Sequence, residues 1–292
     1  MKSSRGAALL LVLWLLVLLT GLVSVFALTA RTEALQSRFF ERSGAARQAA
    51  EAGLELAMYR VQDAEETRHW VPDGRANAFE FEGFRIDVRI VDETGKLDLN
   101  VATPDLLTGL MQAVGIDAAR AAQLTAAIAD WRDPDDLLSG PGGAEDRDYA
   151  QAGRPYGAKD RPFETVAELQ QILGMDADSY HRLAPYLTVY TGLARPNPAY
   201  AAEPVLRSLG LSDPQIAQVI AQRGSWRPGM PPPVLPDGAV LSAQGSGTYS
   251  ISSRATRNDG TQAQVTATLR TGGSGGFGQL YTPLSWRVGE PD

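Results

Sequence analysis

The sequence has no cysteine among its 292 residues. Disulfide staples and thiolate metal sites are therefore excluded, and an oxidising compartment neither helps nor harms the chain. Histidine is nearly as scarce. His69 and His181 stand far apart, without the spacing of a metal-ligand pair or of a base beside a nucleophile, and both read as structural or surface residues. A basic excess is missing too: 27 Lys and Arg face 34 Asp and Glu, a formal charge of −7. Phosphate binding needs a positive surface, so no nucleic acid is expected as a partner. Two glycine strings mimic catalytic or nucleotide-binding motifs, Gly272-Gly273-Ser274-Gly275-Gly276 and the G-x-G-x-x-G run from Gly273 to Gly278, but neither sits between a strand and a helix. They read as a flexible linker before a closing segment from Leu280 to Val288, and the chain does not read as an enzyme.

What is present begins with a basic leader, Met1-Lys2-Ser3-Ser4-Arg5-Gly6, followed by an uncharged apolar run from Ala7 to Ala30. An apolar helix of a little over twenty residues, at about 1.5 Å each, spans a bilayer core of roughly 30 Å. Lys2 and Arg5 precede it and no acidic residue occurs before Glu33, which places the N-terminus in the cytoplasm and everything after Arg31 outside. A signal peptide ending near Val25-Phe26-Ala27 is the alternative, but the apolar run is long and passes without a turn residue into a helical pattern. Leu35, Phe39, Ala46, Ala50, Leu54, Ala57, Met58 and Val61 recur at helical spacing, and no proline appears before Pro72. One helix from Ala7 to Val61, on the order of 80 Å long, is expected. The competing reading is a membrane helix followed by a separate surface helix, since Gly44 and Gly53 weaken the interior.

After a polar connection around Pro72-Asp73-Gly74 the period falls to two. Phe79 and Phe81, then Phe84, Ile86, Val88 and Ile90, alternate with charged residues and describe a strand pair turned at Gly83. The same alternation returns in Tyr249, Ile251, Ser253 and in Val265, Ala267, Leu269, with Asn258-Asp259-Gly260 as the hairpin turn. The expected fold is α+β: a long N-terminal membrane and stalk helix packed on an antiparallel sheet, interrupted by a large all-α insertion. The expected divisions are a leader (1–6), the transmembrane and stalk helix (7–62), a first part of the sheet (63–98), the inserted helical domain (99–240) and a second part of the sheet with the C-terminal segment (241–292).

Within the insertion a helix, a glycine-hydrophobe turn and a second helix recur three times, at Gly115-Ile116, Gly174-Met175 and Gly210-Leu211. The pattern resembles helix-hairpin-helix (SAM-like) units. Asp117, Asp176 and Ser212 or Asp213 stand where DNA-binding versions need basic neighbours, so the repeats read as packing modules. Met230-Pro231-Pro232-Pro233 reads as a stiff return to the sheet. Between the first two repeats lies an acidic, glycine-rich loop. Asp133, Asp135, Asp136, Glu145, Asp146, Asp148 and Asp160 supply hard oxygens on a flexible frame, as Ca²⁺ coordination requires, although the spacing is not that of an EF-hand. The alternative is a solvated loop with Arg132, Arg147 and Arg154 as ion-pair partners.

Arg5-Gly6 at the very edge of the apolar run resembles the class III leader of type IV pilins and pseudopilins. That resemblance implies cleavage after Gly6 by a prepilin peptidase and N-methylation of Ala7. The fifth mature position, usually Glu in that family, is Leu11 here. Together with the stalk phrase from Ala45 to Leu54, and with Asp130-Trp131-Arg132-Asp133-Pro134-Asp135 followed by Gly143-Ala144-Glu145-Asp146, the chain is similar to the K-class minor pseudopilins of the type II secretion system. The resemblance covers essentially the whole chain. It implies a single-pass inner-membrane protein with a periplasmic pilin-like fold and structural calcium in its helical domain. Such a protein caps the tip of a pseudopilus, with I- and J-class partners and the pseudopilus below them, in support of protein export; secreted proteins are further contacts. Other classes to weigh are a membrane-anchored helix-hairpin-helix DNA receptor, which needs basic repeats, a type IV pilus minor pilin, and a membrane-anchored hydrolase with a metal in the acidic loop.

Overall fold

The computed structural model describes residues 5–235, 238, 240–241, 245–272 and 281–289, with side chains from residue 9 onward. The glycine-rich run expected to be a linker lies mostly outside the described residues. Helix α1 runs unbroken from Arg5 to Val61, 57 residues, so the single-helix expectation holds. Apolar side chains from Leu9 to Leu28 are exposed along it, and by length and composition this is one helix able to cross a membrane.

From Ala46 onward one face of α1 is buried on a five-stranded sheet. Strands β1 (Asp73–Phe81), β2 (Phe84–Asp92), β5 (Thr248–Thr256), β6 (Gln262–Thr271) and β7 (Tyr281–Gly289) lie side by side in that order, each antiparallel to its neighbour. The buried faces of β2, β5 and β6, including Ile86, Val88, Ile90, Ile251, Val265 and Leu269, meet Ala46, Ala49, Ala50, Leu54, Ala57 and Met58 of the helix. Small helix residues let the two backbones approach closely. Gly53, which the sequence presents as a weak point, is required there: a Cβ would overlap Ser253 Oγ and come 2.6 Å from Ile86 Cγ2. The first hairpin turns at Glu82 and Gly83 with φ of 50° and 74°, the doubly positive pair a tight turn needs. Strand β1 starts earlier than expected. Asp73 already pairs with Val91 across an irregularity ending at Ala76, and Gly74, at φ 86°, takes the bulged conformation that its sequence makes look like a connection.

The helical part is inserted between β2 and β5, which are neighbours in the sheet. It contains β3 (Leu97–Asp98) paired in parallel with β4 (Leu187–Thr188), and helices α2 (Pro104–Ala113), α3 (Ala118–Arg132), α4 (Asp146–Gln151), α5 (Ala177–Leu183), α6 (Glu203–Ser208) and α7 (Asp213–Ser225). A second hydrophobic cluster runs from Leu97 to Leu241. Gly115, Gly174 and Gly210 take φ of 86°, 90° and 87° between α2 and α3, before α5, and between α6 and α7. The segment before Gly174 is a 3-10 turn, Val166–Gln171, instead of an α-helix. Asp117 and Asp176 accept hydrogen bonds from the backbone N–H groups of Arg120 and Ser179, and Ser212 closes a capping box with Gln215. These side chains occupy the helix-start donors that an incoming phosphate would need.

Candidate functional site

The acidic loop is built around a residue that sequence reading quoted but did not select. Asp130, fully buried near the end of α3, accepts from Ser139 N at 2.7 Å and Ala144 N at 2.8 Å, folding residues 139–144 back over the helix end. Gly143 must be glycine, because a Cβ there would overlap Asp130 Oδ2. Trp131 beside it floors the loop, with ring centroids 5.8 Å from Tyr149, 6.4 Å from Tyr156 and 6.5 Å from Phe163. An acid lying between Ala127 and Trp131 on the buried stripe of a helix was the available signal, since burial there demands a structural partner.

The predicted ligands divide into two groups. Asp148 is committed to capping α4, accepting from Glu145 N at 3.1 Å, and Asp135 accepts from Leu137 N at 2.9 Å in an exposed turn. Asp136 and Asp146 are exposed. Asp133, Glu145 and Asp160 are more confined, and one oxygen of each is buried without a hydrogen-bond partner: Asp133 Oδ1, Glu145 Oε1 and Asp160 Oδ1. Asp160 also holds a left-handed backbone at φ 53°, fixed by its N–H to Trp131 O at 3.1 Å.

Their electrostatics follow from this confinement. Burial, followed by the charges of Asp130, Asp133, Asp160 and Asp136, pushes the Glu145 carboxyl up to about 7. Burial and then Asp135 and Asp130 raise Asp133, while burial and then Asp146 and Asp136 raise Asp160. Arg161 relieves Asp160 in part and Arg132 attracts Asp133, yet among the described residues neither forms a salt bridge with a loop carboxylate. Among the described residues Arg132, Arg147 and Arg154 form no salt bridge; Arg132 instead donates to the carbonyls of Leu99 and Ala102. Orphaned, mutually repelling carboxylate oxygens suit a hard cation such as Ca²⁺ in donor chemistry. Among the described residues, however, no three Asp, Glu, His or Cys side chains converge on one point at coordinating distance.

The other predicted site is the leader. Gly6 and Ala7 fall in the first turn of α1, and residues 1–4 lie outside the described residues. Leu11 is exposed on the membrane-length part of the helix. Of the histidines, His69 is half-buried, with Nδ1 3.2 Å from Asp63 O, and His181 is exposed on α5.

Residues 85–192 match the family model described as Type II secretion system (T2SS), protein K. Type II secretion system protein K of Klebsiella pneumoniae is 32% identical over 207 residues, 63% of this chain and 62% of that protein. The Pseudomonas aeruginosa protein of the same description is 31% identical over 153 residues, 49% of this chain and 46% of that one. The chain thus aligns with less than two thirds of the length of these relatives. In fold it resembles a chain of the crystal structure of the GspK-GspI-GspJ complex from enterotoxigenic Escherichia coli, at TM-score 0.60 and 18% identity, covering 89% of this chain and 100% of that one. The resemblance read from the sequence is shared by all three comparisons.

Proposed function

We propose that this chain, similar to type II secretion system protein K in sequence and in fold, is a minor pseudopilin that caps the periplasmic pseudopilus in support of protein export. The observation that carries the proposal is the matched segment, 85–192, which takes in strand β2 and the insertion as far as the acidic loop and β4. It therefore includes the part that a plain stalk-and-sheet pilin would lack. In this reading α1 anchors the chain once in the inner membrane with its N-terminus cytoplasmic, prepilin peptidase cleaves after Gly6, and Ala7 becomes the methylated first residue. Leu11 suits a subunit at the tip: with no subunit above, there is no N-terminal ammonium for a glutamate to meet, and an unpaired ionised group in hydrocarbon costs several kcal/mol.

In the same reading the three glycine-turn helix pairs are helix-hairpin-helix-like packing modules, and the loop holds a structural Ca²⁺. Asp133, Glu145 and Asp160, each with an oxygen already desolvated and unpartnered, would hold it, with the exposed Asp135, Asp136 and Asp146 adding negative charge beside them. The ion would add positive charge to the little that Arg132 and Arg161 bring to the loop. Partners would be I- and J-class pseudopilins, named with GspK in the solved complex. Co-purification of the full chain from membranes containing candidate I- and J-class pseudopilins tests the assignment. Recovery of a stoichiometric complex is expected, and failure of both partners to bind a folded chain would overturn it.

A further inference from the structure

A cavity of about 30 Å³ lies in the seam between the sheet and the inserted helical part. Asp73 and Arg75 of β1 line it from one side, and Arg223, near the end of α7, lines it from the other. The rest of the wall is apolar or aromatic: Val71, Tyr200 and Leu241 are buried, while Trp226 and Pro233 keep partial contact with solvent. Two guanidinium groups thus share this space with one carboxylate.

That carboxylate is spent on Arg75. Asp73 Oδ1 accepts from Arg75 Nε at 2.9 Å, and Oδ2 accepts from Nη2 at 2.7 Å. Arg75 then donates onward to the carbonyls of Arg223 at 2.7 Å and Trp226 at 3.3 Å, which ties β1 to the end of α7. Arg223 has no comparable counterion. Its Nη1 meets only carbonyl oxygens, of Pro198, Ala199 and Ala201 at 3.1, 3.3 and 2.7 Å, and its Nε is buried without a hydrogen-bond partner. Among the described residues it forms no salt bridge. Burial lowers the Arg223 pKa, with Asp73 opposing the shift and Arg75 adding to it. A buried donor left unpaired is costly, and more so on a charged group, so the site calls for an anionic acceptor.

The size of the cavity says which acceptor fits. A water needs about 10–15 Å³ of such space, so there is room for about two water-sized groups, roughly the bulk of a carboxylate head. A planar carboxylate also matches a guanidinium, whose N–H groups form a fixed fork. We propose that this seam cavity is a carboxylate-binding site, where the head of a short acid or of an acidic side chain accepts from Arg223 Nε–H. Held between arginines of the sheet and of the insertion, such an anion fastens one to the other. The residues lining the cavity all fall outside the family-matched segment 85–192, and the inference does not rest on the pseudopilin reading.

NMR of carbon-13 formate and acetate titrated into the full-length chain in micelles, at constant ionic strength, tests it. Both anions should show saturable exchange broadening and raise the melting temperature. Pivalate, whose three methyl groups crowd its carboxylate, should do neither. Arg223→Gln should weaken acetate roughly tenfold or more, the scale of a lost charge-assisted hydrogen bond. Ala199→Leu, which narrows the cavity and leaves both arginines in place, should also abolish binding, and an unchanged circular-dichroism spectrum separates that loss from misfolding. Repeating the titration on a complex with I- and J-class pseudopilins distinguishes the sources: blocked uptake assigns the carboxylate to a partner side chain, and retained uptake assigns it to a free acid. Absence of saturable exchange, an equal response to pivalate, or acetate binding that survives both substitutions would overturn the site.

Discussion

Two sets of carboxylates confined in the inserted domain solve the same problem differently. Asp98, 1% exposed, accepts from Asn100 N at 2.9 Å, Thr191 N at 3.0 Å, Thr191 Oγ1 at 3.1 Å and Gly192 N at 2.8 Å. Its charge is met by the chain itself, and it pins the segment after β4 to the end of β3. Asp133, Glu145 and Asp160 repel one another, and each keeps one buried oxygen without a hydrogen-bond partner. Backbone N–H groups suffice where the loop can wrap the carboxylate. Where several carboxylates wrap each other, the folded state is left short of positive charge, and it is this deficit that a bound cation would remove.

The comparison is broken most severely at Asp98. Asp98→Ala removes the acceptor of three part-buried backbone donors, at about 1 kcal/mol each, so a loss of about 3 kcal/mol is expected in urea unfolding, with or without Ca²⁺. A variant that regained full stability on adding Ca²⁺ would erase the distinction between the two sets. The next effect is ligand linkage at the acidic loop. Calcium at a hundredfold excess over its Kd should add about 2.7 kcal/mol and raise the melting temperature. Asp133→Ala with Glu145→Ala should abolish that response, and superimposable melting curves in Ca²⁺ and in chelator would end the calcium reading.

A further test sharpens the contrast through pH. In chelator, the folded chain holds a proton on Glu145 up to about pH 7, while the unfolded chain releases it near the ordinary 4.5. Between those values the folded state binds more protons, so stability is full below the lower one and is lost as pH rises through the upper one. Urea midpoints taken from pH 4.5 to 7.5 should fall along this limb, and Glu145→Gln should flatten it. Saturating Ca²⁺ should do the same in the unmodified chain, since a bound cation favours the ionised carboxylate. A slope that survives Glu145→Gln unchanged would assign the titration to another group.

Local chemistry made much of this architecture legible. The length of α1, both hairpins with their turns at Gly83 and Gly260, and the glycine turns of the insertion follow from period and from backbone freedom, which act over a few residues. What escaped reading depends on contacts far along the chain. Gly53 is read as a flaw because its reason, Ser253, lies two hundred residues away. Arg132 is read as a counterion because its carbonyl partners, at Leu99 and Ala102, are brought to it only by the packing of α3 on the segment before α2. The acidic residues of the loop were visible as a set. Which of them are confined and which serve as caps is set by how Asp130 folds the loop, and a list of carboxylates carries no sign of that.

The place of the insertion also bears on how the chain reaches this structure. Strands β2 and β5 are adjacent in the sheet, with Asp92 opposite Tyr249, yet the whole helical part separates them in sequence. Closing so long a loop before the helical part is ordered costs conformational entropy and slows pairing. Once the helical part has formed, its two ends stand together, and Ser246 N and Oγ donate to the Asp92 carboxylate across the junction. The inserted domain thus acts as the connector that makes β2 and β5 kinetic neighbours. The central pairing of the sheet should then be the last to acquire hydrogen-exchange protection during refolding, after the helices, although it lies at the centre of the finished sheet.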